Sequence, residues 1–249
     1  MESKNLAVPI AIFAVFAVGL AISLNSEARK PEEQSATRPA ATHPVAAATH
    51  PAPATHPAAT APQDNKLLTL FDGKTLKNWK STDFGGEGPV SVEDGKIIVK
   101  SGSSLSGITW TGFDLPKENY EIELDAMKLD GSDFFAALTF PYKKDCATLV
   151  LGGWGGSLVG ISSVNGNDAA NNEYSTVKEF KKNQWYHIRL RATPEKIQAW
   201  LDEQPDPVLD VETANKEIST RADIDAAKPL GLSTYQTSAA YKNIRLRRL

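Results

Sequence analysis

From Leu67 to the C-terminus, apolar and polar residues alternate in short runs separated by turn residues. The clearest run is Tyr120-Glu-Ile-Glu-Leu-Asp-Ala126. Tyr120, Ile122, Leu124 and Ala126 share one side of a period of two, and Glu121, Glu123 and Asp125 share the other. That period marks a strand with one face in a core and one toward water, whereas a helix would scatter the same residues around its axis. Asp94-Gly95, between Val90–Glu93 and Lys96–Val99, signals a hairpin. Thr193-Pro194-Glu195 joins a second one, with Tyr186, Ile188, Leu190 and Ala192 facing inward on its first arm and Ile197, Ala199 and Leu201 on its second. Phe134–Phe140, Thr148–Leu151, Leu158–Val164, Leu230–Tyr235 and Ala240–Leu246 also read as strands. Residues 214–227 show weak helical periodicity and read as a loop with a turn of helix. The sum is about a dozen short strands, which predicts an all-β domain of two packed antiparallel sheets.

The pattern begins only after two segments of other composition. Residues 1–30 carry an apolar run from Leu6 to Leu24 behind Lys4. As a helix it would span about 28 Å, near the thickness of a bilayer core. Ser26-Glu27-Ala28 offers a small-x-small cleavage site, so a signal peptide and an uncleaved membrane anchor both stand as readings. Both send the domain out of the cytoplasm: membrane-anchored, or secreted or periplasmic after cleavage. Residues 31–63 hold 11 Ala, 7 Pro and 5 Thr and no aromatic residue, with Thr-His-Pro at 42–44, 49–51 and 55–57. Such a segment buries too little to offset its ordering entropy and reads as a disordered linker. Residues 64–249 contain all 5 Trp, all 6 Tyr and the single Cys.

Charge and cysteine exclude several chemistries. Four of the 27 basic and four of the 30 acidic residues precede residue 64, so the domain carries the whole net charge of −3. A nucleic-acid partner would require a dominant basic field. Cys146 alone permits neither an intrachain disulfide nor a Cys-based zinc site, and His187 is the one histidine of the domain, so a multi-His metal centre built from the domain is excluded. There is no P-loop, and no Ser in a nucleophile-elbow setting. No cofactor is expected. The loop Asn165–Glu173 is rich in oxygen ligands and is the one candidate for Ca²⁺, without matching an EF-hand.

Two features point to sugars. On a strand, Glu121, Glu123 and Asp125 project from one face about 6.5–7 Å apart, and glycoside hydrolysis uses two carboxylates about 5–9.5 Å apart. The same row is also what a solvated strand face carries. The second feature is aromatic: a ring face packs on pyranose C–H groups while polar neighbours bind hydroxyls. Trp110, Trp154 and Trp200 are candidate platforms, and Trp154, between Gly152-Gly153 and Gly155-Gly156, is the one expected to be exposed. Trp79 and Trp185 read as core.

The order of short motifs resembles a known family. Leu70-Phe-Asp-Gly-Lys-Thr-Leu-Lys-Asn-Trp79 is similar to the opening signature of the 3-keto-disaccharide hydrolase domain. Gly107-Ile-Thr-Trp-Thr111, Asn119-Tyr-Glu-Ile-Glu-Leu124, Trp185-Tyr-His-Ile188, Ile197-Gln-Ala-Trp-Leu-Asp202 and Tyr241-Lys-Asn-Ile-Arg-Leu246 follow in the family's order. The resemblance covers residues 67–249 and implies a concanavalin A-like jelly roll and hydrolysis of 3-keto-glycosides. The family's central acidic strand corresponds here to Ala147-Thr-Leu-Val-Leu-Gly152, which has no carboxylate. Its acidic residue and His after Gly-Leu are replaced by Ser233-Thr234-Tyr235, and its Asn-Ser-Gly turn by Gly131-Ser132-Asp133. The expected site is Glu123 and Asp133 as acid and base, with Glu121, Trp154, Arg189, Trp200 and Tyr235 binding a saccharide or glycan. The alternative is a non-catalytic carbohydrate-binding module of the same fold.

Overall fold

The computed structural model describes residues 67–249. The leader expected at 1–30 and the linker expected at 31–63 lie outside the described residues. Among those described, no helix is long and apolar enough to cross a membrane.

Fifteen strands form two sheets: β1 (Leu67–Thr69), β2 (Trp79–Ser81), β3 (Val90–Glu93), β4 (Lys96–Val99), β5 (Leu105–Trp110), β6 (Tyr120–Asp130), β7 (Ala136–Tyr142), β8 (Asp145–Gly152), β9 (Leu158–Ser162), β10 (Ser175–Val177), β11 (Trp185–Ala192), β12 (Lys196–Leu201), β13 (Leu209–Glu212), β14 (Gly231–Tyr235) and β15 (Ser238–Arg248). The first sheet runs β13-β12-β11-β6-β15-β4-β3, with β1 also on β15; the second runs β10-β9-β8-β7-β14-β5-β2. Every pairing is antiparallel. The described residues thus form an all-β sandwich of two antiparallel sheets.

The period of two decides which side chains fill the middle. Tyr120, Ile122, Leu124 and Ala126 of β6 face Leu138, Phe140, Leu149 and Leu151 of the second sheet, all essentially without exposed surface. Burying side chains of this size contributes about 1.5–3 kcal/mol each. Three tyrosines tie the layers: the hydroxyl of Tyr120 donates to Pro141 O, that of Tyr241 to Phe135 O at 2.6 Å, and that of Tyr142 to Thr193 O at 2.9 Å. Burial pushes the Tyr241 phenol well above its ordinary pKa, so it remains a donor.

The expected hairpins form. Glu93 pairs Lys96 across Asp94-Gly95, whose positive φ angles of 47° and 78° suit a tight hairpin turn. Ala192 pairs Ile197 across Thr193–Glu195. The weakly periodic segment holds only a short 3₁₀ turn at Ala222–Ala227. In β15 the register shifts between Lys242 and Arg245, where Asn243 has φ 54°. This bulge keeps Ile244 in the core and turns Arg245 and Arg247 to the outer face of the first sheet.

Candidate functional site

The outer face of the second sheet carries a row of small hydroxyl residues. Thr109, Gly231, Thr139, Thr148 and Ser162 stand in register across β5, β14, β7, β8 and β9. The next row is Gly107, Ser233, Ala137, Val150 and Gly160. Small residues leave this face hollow. The turn Ala222–Ala227 roofs part of it, with Ile224 and Ala227 packed on Ala137 and Val150 and flanked by Phe84 and Phe134. Under the roof the hydroxyls pair: Thr109 donates to Ala226 O at 3.1 Å, and Thr139 bonds Thr148 at 3.1 Å.

Beside the roof a cleft of about 340 Å³ remains open, within the range small-molecule sites occupy. Thr148, Val150 and Ser162 form its floor; Phe134, Trp154 and Tyr235 supply its aromatic wall; Arg221, Asp223 and Ile224 face them. Leu105 and Asp133 complete the lining. The Ser162 hydroxyl is buried and, among the described residues, has no hydrogen-bond partner. A buried hydroxyl without a partner costs about 1–3 kcal/mol, so a polar group that meets it when the side chain turns toward the cleft would relieve that cost.

The Gly152–Gly156 loop between β8 and β9 presents Trp154. Trp154 has φ 48° and ψ 56°, a left-handed conformation between Gly152 at φ 76° and Gly155 at φ 91°. For a residue with a side chain this costs about 1–2 kcal/mol. The loop is pinned from outside. The Asp133 carboxylate accepts the Phe134 amide at 2.7 Å and the Gly155 amide at 3.2 Å. A Cβ at Gly156 would stand 2.7 Å from Ser132 O, so only glycine lets the loop lie this close. Trp154 is 44% exposed, and Tyr235 stacks at 33° to Phe134 with ring centres 5.9 Å apart. On the opposite wall, Arg221 grips Asp223 through Nε at 3.2 Å and Nη2 at 3.1 Å, and its Nη1 reaches Asp168 at 3.1 Å.

The structure divides the expected site residues between two surfaces. Asp133, Trp154 and Tyr235 meet in this cleft. Glu123, Glu121, Arg189 and Trp200 lie on the outer face of the first sheet, across the core. There Glu121 is buried beneath Arg189, Arg191 and Arg247. Trp200 is only 6% exposed and lies under the Arg189 guanidinium at 3.9 Å. Trp110, a candidate platform, sits in the core edge-on to Trp79 at 5.2 Å. Trp185, expected in the core, is on the outer face with Lys242 Nζ 4.1 Å from its ring centre. Ser162, Arg221, Asp223 and Phe134 were not singled out by their sequence setting. Arg221 and Asp223 come from a segment whose sequence announces only a loop.

The oxygens of the Asn165–Glu173 loop serve the loop and the neighbouring segment at 217–221. Asp168 Oδ1 accepts Ala170 N at 3.0 Å and Asn171 Nδ2 at 2.9 Å, while its Oδ2 takes Arg221. Asn165 Oδ1 accepts Glu217 N at 2.9 Å. Among the described residues no group of three or more His, Cys, Asp or Glu converges as a metal site would require.

A family profile described as a 3-keto-alpha-glucoside-1,2-lyase-like domain matches residues 66–247. The chain belongs to this family. The match bears out the resemblance carried by Leu70–Trp79 and the motifs after it. Among solved structures, the carbohydrate-binding module CBM66 of Bacillus subtilis is similar at 17% identity, covering 68% of this chain and 95% of its own, with a TM-score of 0.43. A Parabacteroides distasonis protein assigned to the glycosyl hydrolases is similar at 16% identity over 74% of this chain and 100% of its own, with a TM-score of 0.47. The exoplasmic/lumenal domain of VIP36, in a Ca²⁺/Man3GlcNAc-bound form, is similar at 10% identity over 73% of this chain and 88% of its own, also with a TM-score of 0.47. A comparison with curated proteins finds no match. The strand residues that line the cleft floor carry hydroxyl and aliphatic side chains, not carboxylates: Thr148 and Val150 of β8 and Ser162 of β9.

Proposed function

We propose that this domain binds a neutral saccharide in the cleft on the second sheet, as a non-catalytic member of its family. The observation that carries the reading is the exposed, strained and pinned Trp154 facing a floor with an unpartnered Ser162 hydroxyl. A pyranose has the matching two-sided chemistry, with C–H groups for the ring face and hydroxyls for Ser162, Asp223 and Arg221. The sandwich is read as a concanavalin A-like jelly roll. The expected organisation, a leader at 1–30 and a linker at 31–63 holding the domain outside the cytoplasm, suits a module that meets glycans there.

Catalysis is the second reading, and the family match favours it. A 1,2-lyase acting on a 3-keto-glucoside takes the C2 proton, made acidic by the neighbouring ketone, as the C1 substituent leaves. That step needs a base at C2 and a proton donor at the leaving oxygen. The carboxylates lining the cleft are Asp133 and Asp223, the first engaged by two amides and the second by Arg221. Asp133 is committed to holding the Trp154 loop and Asp223 is held as a charged partner of Arg221, which supports binding over turnover.

The test is a calorimetric titration with neutral oligosaccharides and a 3-keto-glucoside, alongside an assay for release of the C1 substituent. Binding without release, weakened about tenfold in Trp154→Ala, is the expected result. Release by the wild type that Asp223→Asn abolishes would establish the catalytic reading instead. No binding to any sugar in the panel would overturn the proposal.

A further inference from the structure

The outer face of the first sheet carries a charge arrangement that the saccharide cleft does not use. The side chain of Glu121, on β6, has 0% exposure, and three guanidiniums converge on it from β11 and β15. Its Oε1 accepts Arg189 Nη1 at 3.3 Å and Arg191 Nε at 2.9 Å and Nη2 at 2.8 Å. Its Oε2 accepts Arg247 Nη2. One carboxylate against three guanidiniums leaves two positive charges. Glu123 stands between Arg189 and Arg245 in register and forms no ion pair within 4.0 Å among the described residues, so Glu123 and Arg245 together leave that excess unchanged. The excess sits on a chain whose net charge is −3.

The three cations are held yet reachable. Their side chains keep 29%, 36% and 40% of their surface exposed for Arg189, Arg191 and Arg247. Arg189 Cζ stands 3.9 Å from the Trp200 ring centre, a cation–π contact that helps hold the side chain in place. Arg247 Nε is buried and has no acceptor among the described residues. Burial would push the Glu121 carboxyl up, but hydrogen bonds from Arg247 and Arg191 outweigh it and hold the carboxyl below its ordinary value, so the anchor of the trio stays charged.

We propose that Arg189, Arg191 and Arg247 form a second binding site, separate from the cleft, for carboxylate groups of an acidic polysaccharide. Guanidinium forks match planar carboxylates with paired N–H donors, and forks already fixed in place lose less entropy on binding. A nucleic acid would need a long run of cations following closely spaced phosphates. Here Asp125, Asp210 and Glu212 share the face with the trio and interrupt any such run, so the positive excess stays local to the three arginines. Spaced uronic acid carboxylates suit that pattern. A single exposed ion contact is weak, so a polymer that presents many carboxylates is the occupant expected to be retained.

The experiment titrates the full chain with polygalacturonate, dextran and duplex DNA at low and high salt. Polygalacturonate should bind at low salt and weaken at least about tenfold at high salt, with no binding to dextran through this face. The triple variant Glu121→Gln, Arg191→Gln, Arg247→Gln removes two of the three cations without stranding a buried carboxylate, and leaves Arg189 as the single charge of the trio. It should lose about tenfold or more in affinity, while Trp154→Ala leaves polygalacturonate binding unchanged. Glu123→Lys, at an unpaired position, keeps the test decisive if the triple variant melts early: it should bind polygalacturonate about threefold tighter or better. No binding at low salt, DNA bound as tightly as polygalacturonate, or variants indistinguishable from wild type would each overturn the proposal.

Discussion

The two outer faces of this sandwich are built from the same alternation and come out opposite in character. On the first sheet the outward positions of β6, β11 and β15 hold Glu121, Glu123, Asp125, His187, Arg189, Arg191, Arg245 and Arg247, and much of that charge is spent internally. Glu121 serves three arginines, and Asp125 accepts His187 Nδ1 at 2.8 Å and Asn243 Nδ2 at 2.6 Å. On the second sheet the outward positions are Thr, Ser, Ala, Val and Gly, which leave a hollow that the Ala222–Ala227 turn only partly fills. A rich row of carboxylates is therefore not where the cleft lies. Long charged side chains fold over their own sheet and close it, while short side chains leave room for a ligand.

The largest effect that separates the faces should come from comparing Glu121→Ala with Glu123→Ala in urea unfolding. Losing Glu121 leaves three guanidiniums facing one another and should cost about 2–3 kcal/mol. Losing Glu123, which has no ion pair, should change stability by less than about 0.5 kcal/mol. Equal costs would mean the face is a uniform ladder. Because the folded state holds the Glu121 carboxyl below its unfolded value, its contribution is complete above the ordinary carboxylate range and lost as pH falls through the lower folded value. The stability gap between wild type and Glu121→Ala should therefore shrink with acid. A gap that persists at the lowest pH where the protein stays folded would contradict the ion-pair origin.

On the other face, Trp154→Gly should weaken saccharide binding about tenfold. It should also raise stability by up to about 1 kcal/mol, since glycine adopts the left-handed backbone freely. A variant that loses both stability and affinity would show that the ring is packed structure and not a platform. Asp133→Ala should have a smaller effect, about fivefold in affinity, because it frees the Gly155 amide and lets the Trp154 loop wander. Hydrogen exchange at Gly155 should then speed up, and an unchanged rate would sever Asp133 from the loop. Ser162→Ala should be the mildest, lowering affinity about threefold while leaving stability unchanged or slightly higher. A clear loss of stability would mean the hydroxyl has a partner in the free protein.

The alternation made the fold legible, and the same signal hid the site. Tyr120 to Ala126 and Tyr186 to Leu201 have the faces their periodicity predicts, since a one-residue slip would put arginine in the core. Trp154 is exposed because its glycines leave nothing large beside it, and the run Gly-Gly-Trp-Gly-Gly says so directly. Periodicity does not say which sheet a strand joins. Glu123 and Asp133 are ten residues apart, yet the turn after β6 carries the chain from one sheet to the other, so they serve different surfaces. Arg221 and Asp223 reach the cleft through a long irregular connection between β13 and β14. Ser162 earns its role from an unfilled hydrogen-bonding capacity that only packing reveals.

The five tryptophan indole N–H signals offer the most direct measurement of where a saccharide binds. The full chain, labelled with ¹⁵N at tryptophan and titrated with the best neutral oligosaccharide from the panel, should show the Trp154 signal moving in a saturable way. Trp79, Trp110, Trp185 and Trp200 should stay in place. Movement of Trp185 or Trp200 with Trp154 fixed would put the sugar on the arginine face and contradict the account.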